Sequence, residues 1–262
     1  MKKMIGINTL GLLISLSFHS CGKDSNPIDD TANIQKREFK SSFESVNDFD
    51  GFFITPQGHL GTTFHELSDL NVHSGIYSHR AWIDGANPPS ITENNNHRGY
   101  PTIQLKNTLG GSFTSPCYIT FWVWLDIDLQ ASTTGGEDDW FSFATFTDDE
   151  SDNWDRTLLV NLSHNGYVHL QNVPNQNEQE HEFQTSSITF PQKEWVELKI
   201  YLDINNGGYA KVWQNGQLVS HAKIKNMTNK LSQAHFGLYC SPQLTTGIVY
   251  NDDLTIKEVD GE

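Results

Sequence analysis

Residues 97–106 carry a row of side chains that could bind hydroxyl and carboxylate groups. Their sequence is His-Arg-Gly-Tyr-Pro-Thr-Ile-Gln-Leu-Lys, and we predict that it forms one extended strand. Side chains alternate between the two faces of a strand. The face that carries the polar groups consists of Arg98, Tyr100, Thr102, Gln104 and Lys106. A guanidinium, a phenol and an amide on one face favour a polar groove for a sugar chain.

Two later segments supply further polar rows. The Asn165-Gly166 turn can close a hairpin with a two-residue or a three-residue loop, and only the three-residue loop sorts the flanking side chains by polarity. That register places these residues on one face: Asn161, Ser163, Tyr167, His169 and Gln171. A second hairpin, over residues 208–220 with its turn at Asn215-Gly216, adds a third row: Tyr209, Lys211 and Trp213.

These rows contain the groups that β-elimination of a uronic-acid polysaccharide requires. A cation or an amide (Arg98, Gln104 or Lys211) must hold the carboxylate while its charge grows. A base takes the neighbouring proton and an acid protonates the leaving oxygen. We assign these two roles to His169 and Tyr209, because imidazole titrates near neutrality and a phenol beside cations ionises readily. Further substrate contacts are predicted for His97, Tyr100, Tyr167, Gln171 and Trp213.

The same residues also have structural interpretations. Arg98 could brace the loop that precedes it, and His169 could be an ordinary exposed residue of a sheet. Tyr209, Lys211 and Trp213 could form a packed cross-strand ladder. The catalytic hypothesis requires that Arg98, His169 and Tyr209 line one cleft.

Short strands separated by turns must position these residues. The runs 119–127 and 195–203 alternate apolar and polar residues at period two, and no stretch of ten residues has a convincing helical period. Many short strands with long loops predict an all-β fold, a two-sheet jelly-roll sandwich with a concave groove. We place this domain at residues 39–262, a length typical of one large all-β domain.

Several segments resemble a known clan. The region 195–220, the closing Gly237-Leu238-Tyr239 and the segment 251–254 are similar to concanavalin-A-like jelly rolls. Within this clan they look most like polysaccharide lyases of the alginate, glucuronan and heparin type. The resemblance implies a jelly-roll enzyme that cleaves uronic-acid polysaccharides.

The order of the polar motifs resembles that of alginate-lyase-like enzymes. Those enzymes carry an Arg-containing strand, then a Gln/His strand, then a Tyr-x-Lys strand, and Arg98, His169 and Tyr209-x-Lys211 follow in that order. Two positions depart from the pattern. No Glu follows Arg98 at the expected spacing, and Gln171 follows His169 where the family has Gln before His.

Two other functions fit the same features. A glycoside hydrolase needs two carboxylates across the scissile bond, and the acidic runs 137–139 and 178–182 are the candidates. A non-catalytic surface glycan-binding protein would use the aromatic groove for affinity alone. No cofactor is predicted for catalysis. In this clan the terminal strands often share a calcium ion, so the resemblance implies structural Ca²⁺ at Glu44 and Asp253, with two solvated acids as the alternative.

The N-terminus resembles a bacterial lipoprotein signal. Lys2 and Lys3 precede an apolar stretch over residues 5–18, and Ser20-Cys21-Gly22 follows. We predict a signal peptide at 1–20, lipidation of Cys21, and a disordered tether over 21–38. The protein would then be an outer-membrane or cell-surface lipoprotein that contacts the membrane through its lipid anchor only. Without lipidation it would be periplasmic or secreted.

Charge and cysteine content narrow the partners. The formal charge of −15 argues against a nucleic-acid partner. It also disfavours a polyanionic substrate at long range, unless the groove is locally basic or calcium bridges the protein and the polymer. We expect an extracellular polysaccharide as partner and a monomeric protein. Besides Cys21, Cys117 and Cys240 could form a disulfide after export or remain buried thiols.

Overall fold

Two antiparallel β-sheets account for almost all of the regular structure. The computed structural model describes residues 35–49, 53–54, 63–85, 96–151, 153–175, 181–183, 186–205, 208–225 and 228–262. Its strands are β1 (Glu38–Ser41), β2 (Phe53–Ile54), β3 (Thr63–Ser68), β4 (Ser78–Asp84), β5 (His97–Gly99), β6 (Thr102–Ile103), β7 (Phe113–Thr114), β8 (Cys117–Asp126), β9 (Trp140–Thr147), β10 (Thr157–Ser163), β11 (Val168–Val173), β12 (His181–Phe183), β13 (Trp195–Leu202), β14 (Tyr209–Gln214), β15 (Gln217–Lys223), β16 (Lys230–Leu231), β17 (Gln233–Cys240) and β18 (Thr246–Glu258). Two short 3-10 helices cover Val46–Phe49 and Leu105–Asn107. Within the described residues, no helix has the length and apolar character needed to cross a bilayer.

The strand order defines the two layers. Sheet A has the order β15-β14-β13-β8-β18-β4-β3, and β1 pairs with β18. Sheet B has the order β12-β11-β10-β9-β17-β6-β2, and β5 pairs with β17. The short strands β7 and β16 pair with each other apart from both sheets. The all-β jelly-roll sandwich predicted from the sequence is confirmed.

The hydrophobic core fills the space between the sheets. The predicted inner face of β8 is confirmed, since Ile119, Phe121, Val123 and Leu125 are at most 1% exposed. Phe121 meets Phe236 of sheet B edge to face, with ring centroids 5.0 Å apart. Because the inner faces pack together, the polar residues that alternate with them lie on two outer faces on opposite sides of the sandwich.

Both predicted hairpin registers are confirmed. Asn161 pairs with His169, and Gly166 has a positive φ of 80° in the three-residue loop. In the other hairpin Gln214 pairs with Gln217. The turn residues Asn215 and Gly216 both have positive φ, at 47° and 76°, as a two-residue hairpin loop requires.

The single strand predicted over residues 97–106 is wrong. The segment forms β5, then β6, and then the second 3-10 helix. Pro101 lies between the two strands and cannot donate a ladder hydrogen bond. The period-two pattern therefore does not continue to Gln104 and Lys106.

The residues just before β1 contact the last residues of the chain. Nε of Arg37 donates to Oε1 of Glu258 at 3.0 Å, and Nη1 donates to the carbonyl of Gly111 at 2.8 Å. Burial disfavours ionisation of Glu258, but the hydrogen bonds from Arg37 and the Thr114 N–H outweigh it and lower the pKa of that carboxyl. Lys36 also pairs with Asp260 at 2.7 Å. The last residues of the predicted tether thus pack on the domain, and Cys21 and the signal peptide lie outside the described residues.

Candidate active site

A row of five side chains crosses the outer face of sheet B. The register places Tyr239 of β17 opposite both Arg98 of β5 and Ser142 of β9. Ser142 also lies opposite Asn161 of β10, which lies opposite His169 of β11. Directly opposed residues in antiparallel strands point to the same face. Strand pairing therefore brings Arg98 and His169, which are far apart in sequence, to one surface.

This row borders a cleft with a volume of about 700 Å³. Strand residues that line it include Trp140, Thr157, Leu159, Asn161, Ser163, His169, Gln171, Val173 and Tyr239. Loop residues form the rest of its wall: Asn96, Glu137, Asp138, Asp139, His164 and Asn165. The predicted polar row on the Asn165-Gly166 hairpin thus lies in a concave site large enough for a small ligand or part of a polymer.

Among the described residues that line the cleft, Tyr239 is the tyrosine, and its ring and hydroxyl have polar neighbours. Its hydroxyl accepts a hydrogen bond from Nδ2 of Asn96 at 3.2 Å. The guanidinium carbon of Arg98 lies 5.5 Å from the ring centroid, and Trp140 packs against the ring edge to face at 4.9 Å. A cation and an N–H donor beside a phenol stabilise negative charge that develops on it. Tyr239 is therefore a candidate for proton transfer.

Two hydrogen-bonded amides lie near His169, Asn161 in the row and Gln171 two residues along β11. Nδ2 of Asn161 donates to Oε1 of Gln171 at 2.5 Å. Oδ1 of Asn161 is buried and has no hydrogen-bond partner within the described parts of the chain. An unsatisfied buried polar atom costs about 1–3 kcal/mol, so this oxygen is suited to meet a ligand or water. His169 is 7% exposed, and its Nδ1 lies 3.5 Å from the carbonyl of Tyr167.

A stack of neutral rings lies beside Arg98. His235 stacks on Tyr100 with centroids 3.9 Å apart, and Trp154 covers it at 4.8 Å. Burial, with a smaller contribution from Arg98, lowers the pKa of His235 to about 3. Burial also raises the pKa of Tyr100, against the opposing effect of Arg98. Both side chains are therefore uncharged near neutral pH, which leaves Arg98 as the cation of this group.

Carboxylates line one wall of the cleft, and two of them have partners in the protein. Asp138 pairs with Nδ1 of His164 at 3.2 Å. Asp139 accepts hydrogen bonds from the hydroxyl of Ser241 at 2.9 Å and from the backbone N–H of Gln130 at 3.1 Å. Through these contacts Asp138 and Asp139 stabilise the loop that forms one wall of the cleft.

The third predicted row lies on the other side of the molecule. Tyr209, Lys211 and Trp213 belong to β14, on the outer face of sheet A. The hydroxyl of Tyr209 is 2.9 Å from Nδ1 of His221, and Lys211 forms an ion pair with Glu262. The expectation that Arg98, His169 and Tyr209 line one cleft is wrong, and the catalytic hypothesis fails in that form. Tyr209 lies on the opposite sheet, and Arg98 is not among the lining residues but lies directly behind Tyr239, its partner in the strand register. In the cleft the place of Tyr209 is taken by Tyr239, and no cation of β14 joins Arg98.

The remaining predicted residues fall into two groups. Gln171 lines the cleft, Tyr100 stacks beside Arg98, and Tyr167 bridges to Thr189 at the end of the hairpin. Gln104 precedes a 3-10 helix and its Oε1 accepts a hydrogen bond from Asn107 at 2.8 Å. His97 is fully buried, with ring nitrogens 2.8 Å from the hydroxyl of Thr63 and 2.9 Å from the carbonyl of Leu244. Neither Gln104 nor His97 is positioned to contact a ligand in the cleft.

Both predicted calcium ligands form hydrogen bonds to the loop that joins β3 to β4. Glu44 accepts the N–H of Ile76 at 3.0 Å, and Asp253 contacts Nδ1 of His73 at 2.7 Å. The neighbouring Asp252 accepts the N–H groups of His73 and Ser74, and burial raises its pKa to about 6. Among the described residues, no group of three or more His, Cys, Asp or Glu side chains could hold a metal ion. A calcium ion shared by Glu44 and Asp253 stays a prediction.

Comparison with known proteins decides the family. The family model described as "Polysaccharide lyase" matches residues 97–255. The chain belongs to the polysaccharide lyase family. The match includes every strand that contributes to the Arg98–His169 row, and the resemblance predicted from the motifs is confirmed at the level of the family. None of the curated proteins that were compared matches the sequence.

Two solved structures show the same architecture. The endo-β-1,4-glucuronan lyase of the fungus Trichoderma reesei has a TM-score of 0.56 and 13% identity, covering 81% of this chain and 96% of that one. The cellulose-induced protein Cip1 has a TM-score of 0.57 and 14% identity, covering 83% and 96%. At these identities the likeness concerns the fold alone.

Sequence reasoning missed Tyr239, Asn96 and His235 as residues of the candidate site. Tyr239 belongs to the Gly-Leu-Tyr segment that carries part of the resemblance, and it alternates with His235 along β17. The alternation signals a polar face, but only the pairing of β17 with β5 and β9 shows that this face is continuous with Arg98 and Asn161.

Proposed function

We propose that this protein cleaves a uronic-acid polysaccharide by β-elimination in the cleft on sheet B. The observation that carries the proposal is the row Arg98–Tyr239–Ser142–Asn161–His169, which places a cation, a phenol, an amide and an imidazole on one face of a member of the polysaccharide lyase family. These are the groups that the reaction requires. No cofactor is needed for it.

The reaction begins with removal of the proton on the carbon next to the uronate carboxylate. Negative charge then spreads onto the carboxylate, and Arg98 and the amides of Asn161 and Gln171 are the groups that stabilise it. The amide of Asn161 can rotate to present its NH₂ group, because the two orientations fill the same space. The C–O bond to the leaving sugar breaks as the double bond forms, and the leaving oxygen takes up a proton. The products are one unsaturated and one saturated chain end.

His169 and Tyr239 are the proton-transfer groups in this proposal. Their strands are separated by three inter-strand spacings, about 14 Å between backbones, and both side chains line the cleft. A sugar ring bound over Asn161 would therefore have the imidazole on one side and the phenol on the other. One removes the proton and the other protonates the leaving oxygen.

Incubation with a panel of polysaccharides tests the proposal. The panel contains polyglucuronate, alginate, a glycosaminoglycan and a neutral glucan, and unsaturated ends are followed by their ultraviolet absorbance. We expect absorbance to rise with at least one uronate polymer and not with the neutral glucan. New reducing ends without absorbance would identify a hydrolase, for which the carboxylates Glu137–Asp139 in the same cleft would be the candidates. Binding without cleavage of any polymer would identify a glycan-binding protein.

We also propose that the protein is exported and anchored through a lipid on Cys21, and that it acts on polysaccharide outside the cell. The support is the basic, apolar and small-residue order of residues 2–22. Metabolic labelling with a radioactive fatty acid in a bacterial host should label the full chain and not the Cys21→Ser variant. Equal labelling of both would contradict the anchor.

A further inference from the structure

We propose that the outer face of sheet A, on the side of the sandwich opposite the cleft, holds a second binding surface for acidic polysaccharide. This surface would hold the polymer without cleaving it. The inference rests on the proposed function in one respect, since it takes the polymer to be a chain of uronic acids. The evidence for this surface is two adjacent rows of side chains that cross sheet A.

Strand pairing builds the two rows. Across β1, β18, β8, β13 and β14, the first row is Glu38, Lys257, Tyr118, Tyr201 and Lys211. Across the same strands, the second row is Lys40, Thr255, Thr120, Lys199 and Trp213. We call these ten residues the basic stripe. It crosses four inter-strand spacings, about 19 Å, so it is long enough to contact several sugars of one chain.

The aromatic rings of the basic stripe are grouped around Lys199. Its Nζ lies 4.3 Å from the ring centroid of Tyr118 and 5.6 Å from that of Trp213. Tyr118 and Trp213 are both partly exposed and lie 6.5 Å apart, while Tyr201 packs beside Tyr118 at 5.2 Å. Aromatic faces give apolar contact to the C–H surface of a sugar, and ammonium groups beside them can pair with its carboxylate.

The charge of the basic stripe is opposite to that of the protein. The whole chain has a formal charge of −15, yet the stripe contains four lysines and one acid, Glu38. Glu38 pairs with Lys40 at 3.1 Å, and Glu262 pairs with Lys211. Among the described residues, Lys199 and Lys257 have no carboxylate within 4.0 Å.

Besides Glu38 and Glu262, two acidic side chains of the same face lie beside the basic stripe. Glu197 and Asp126 lie further along β13 and β8. A cross-strand ladder that served only to stabilise the sheet would gain from mixing opposite charges. The four lysines outnumber Glu38 and Glu262, and this excess produces a local positive field that attracts a polyanion.

A surface of this kind would act by raising local concentration. A polymer held on sheet A stays close to the cleft on sheet B, because the enzyme remains attached while other parts of the chain reach the active site. The effect should be confined to long or insoluble polymers. A short oligosaccharide that fills the cleft should gain nothing from it.

The test compares Lys199→Gln/Lys257→Gln with the charge-matched control Lys106→Gln/Lys193→Gln. Neither lysine of the control belongs to the basic stripe: Lys106 contacts the carbonyl of Glu150, and Lys193 pairs with Asp126. Both double variants also carry Tyr239→Phe, so that cleavage does not disturb binding. Migration is measured in native gels that contain a uronate polymer or a neutral glucan. We expect the stripe variant to lose at least five-fold in affinity for the uronate polymer, and the control to lose less than two-fold.

Activity measurements separate this inference from the proposed function. With cleavage-competent Tyr239, the stripe variant should keep its kcat/KM on short oligosaccharides and lose rate on the long polymer. Equal retardation of the two double variants, or no retardation of any form, would overturn the binding surface even if unsaturated ends are produced. Retardation that depends on Lys199 and Lys257, without unsaturated ends from the parent protein, would uphold the surface and reject the lyase.

Discussion

Tyr239 is the residue that the proposed chemistry needs most. It combines a phenol in the cleft with contacts to Asn96 and to Arg98. Arg98 and His169 were recognised in the sequence because their types and neighbours suggested a polar face. Tyr239 was not, because its partners come from strands more than 90 residues away. The types of the site residues were thus predictable, and the identity of the phenol was not.

Replacing Tyr239 by Phe should abolish most of the activity while leaving the fold intact. The variant removes only the hydroxyl oxygen, and a positioned acid or base contributes about 10²–10⁴-fold to a rate. We expect kcat to fall by at least about 100-fold, with an unchanged thermal midpoint. The matched control is Tyr209→Phe, a phenol on the opposite face whose partner is His221. A similar loss of kcat in both variants would contradict the assignment.

His235 should make the protein sensitive to acid. Burial holds its pKa at about 3 in the folded state, whereas an unfolded chain has a histidine pKa of about 6.5. Between these values the unfolded state binds more protons, so the free energy of unfolding falls as the pH falls from about 6.5 towards 3. His79 and His97, whose pKa values are also lowered by burial, act in the same direction.

Urea denaturation between pH 4.5 and 7.5 can measure this contribution. The variant His235→Gln should have a shallower loss of unfolding free energy towards acid than the parent. Asp252 acts oppositely, because a pKa raised to about 6 means that the folded state gives up its stabilisation as the pH rises through that value. The difference between variant and parent is therefore the informative quantity. Parallel curves for the two proteins would show that His235 does not titrate as described.

Among the elements, β17 depends on one glycine for its shape. The register of β17 against β9 shifts between Phe236 and Tyr239, and Gly237 has a φ of 119° at that point. A Cβ there would lie 2.8 Å from the carbonyl oxygen of Gly99 and 2.8 Å from Cε1 of His79. The irregularity comes directly before Tyr239, so it helps to fix where that side chain enters the cleft.

Gly237→Ala should therefore be strongly destabilising. Strained backbone and close contacts together should cost about 3 kcal/mol or more. The control Gly216→Ala also has positive φ, at 76°, but nothing lies within 4 Å of the added Cβ, so only about 1–2 kcal/mol should be lost. Equal losses in urea denaturation would mean that the contacts around Gly237 relax.

Local patterns predicted individual elements well where a turn and its flanking residues agreed. The Asn165-Gly166 hairpin is the example, because only one loop length kept apolar and polar side chains on separate faces. The segment 97–106 is the counterexample. Its alternation suggested one strand, but Pro101 interrupts the pairing. The segment then ends in a 3-10 helix, so the pattern does not continue. Alternation is therefore informative only as far as backbone donors remain available for pairing.

At the scale of the molecule, the two cysteines outside the N-terminal segment are free thiols. Cys117 in sheet A and Cys240 in sheet B are both buried and unpaired with each other. Burial, with a smaller contribution from Glu258, raises the pKa of Cys117 to about 12, and burial also raises that of Cys240. Of the two possibilities open from sequence, the structure has the buried thiols.

A reducing agent should therefore leave the stability unchanged. In the Cys21→Ser chain, the thermal midpoint should be the same with and without reductant. A thiol reagent should modify two cysteines after unfolding and none before, because the thiols are buried and protonated. A lower midpoint in reductant, or fewer than two reactive thiols in denaturant, would indicate a disulfide.

The sequence by itself determined the all-β class, the inner faces of the long strands and both hairpin registers, and it singled out Arg98 and His169 as candidate site residues. These properties depend on residues that are neighbours in the chain, so alternation and turn composition report them directly. Only the tertiary structure decided which outer face each polar row occupies. The 208–220 hairpin pairs into sheet A and the 161–171 hairpin into sheet B, because strand order is set by pairing between distant segments. The same pairing placed Tyr239 between Arg98 and Asn161, and it turned Lys211 and Trp213 towards the opposite side of the molecule.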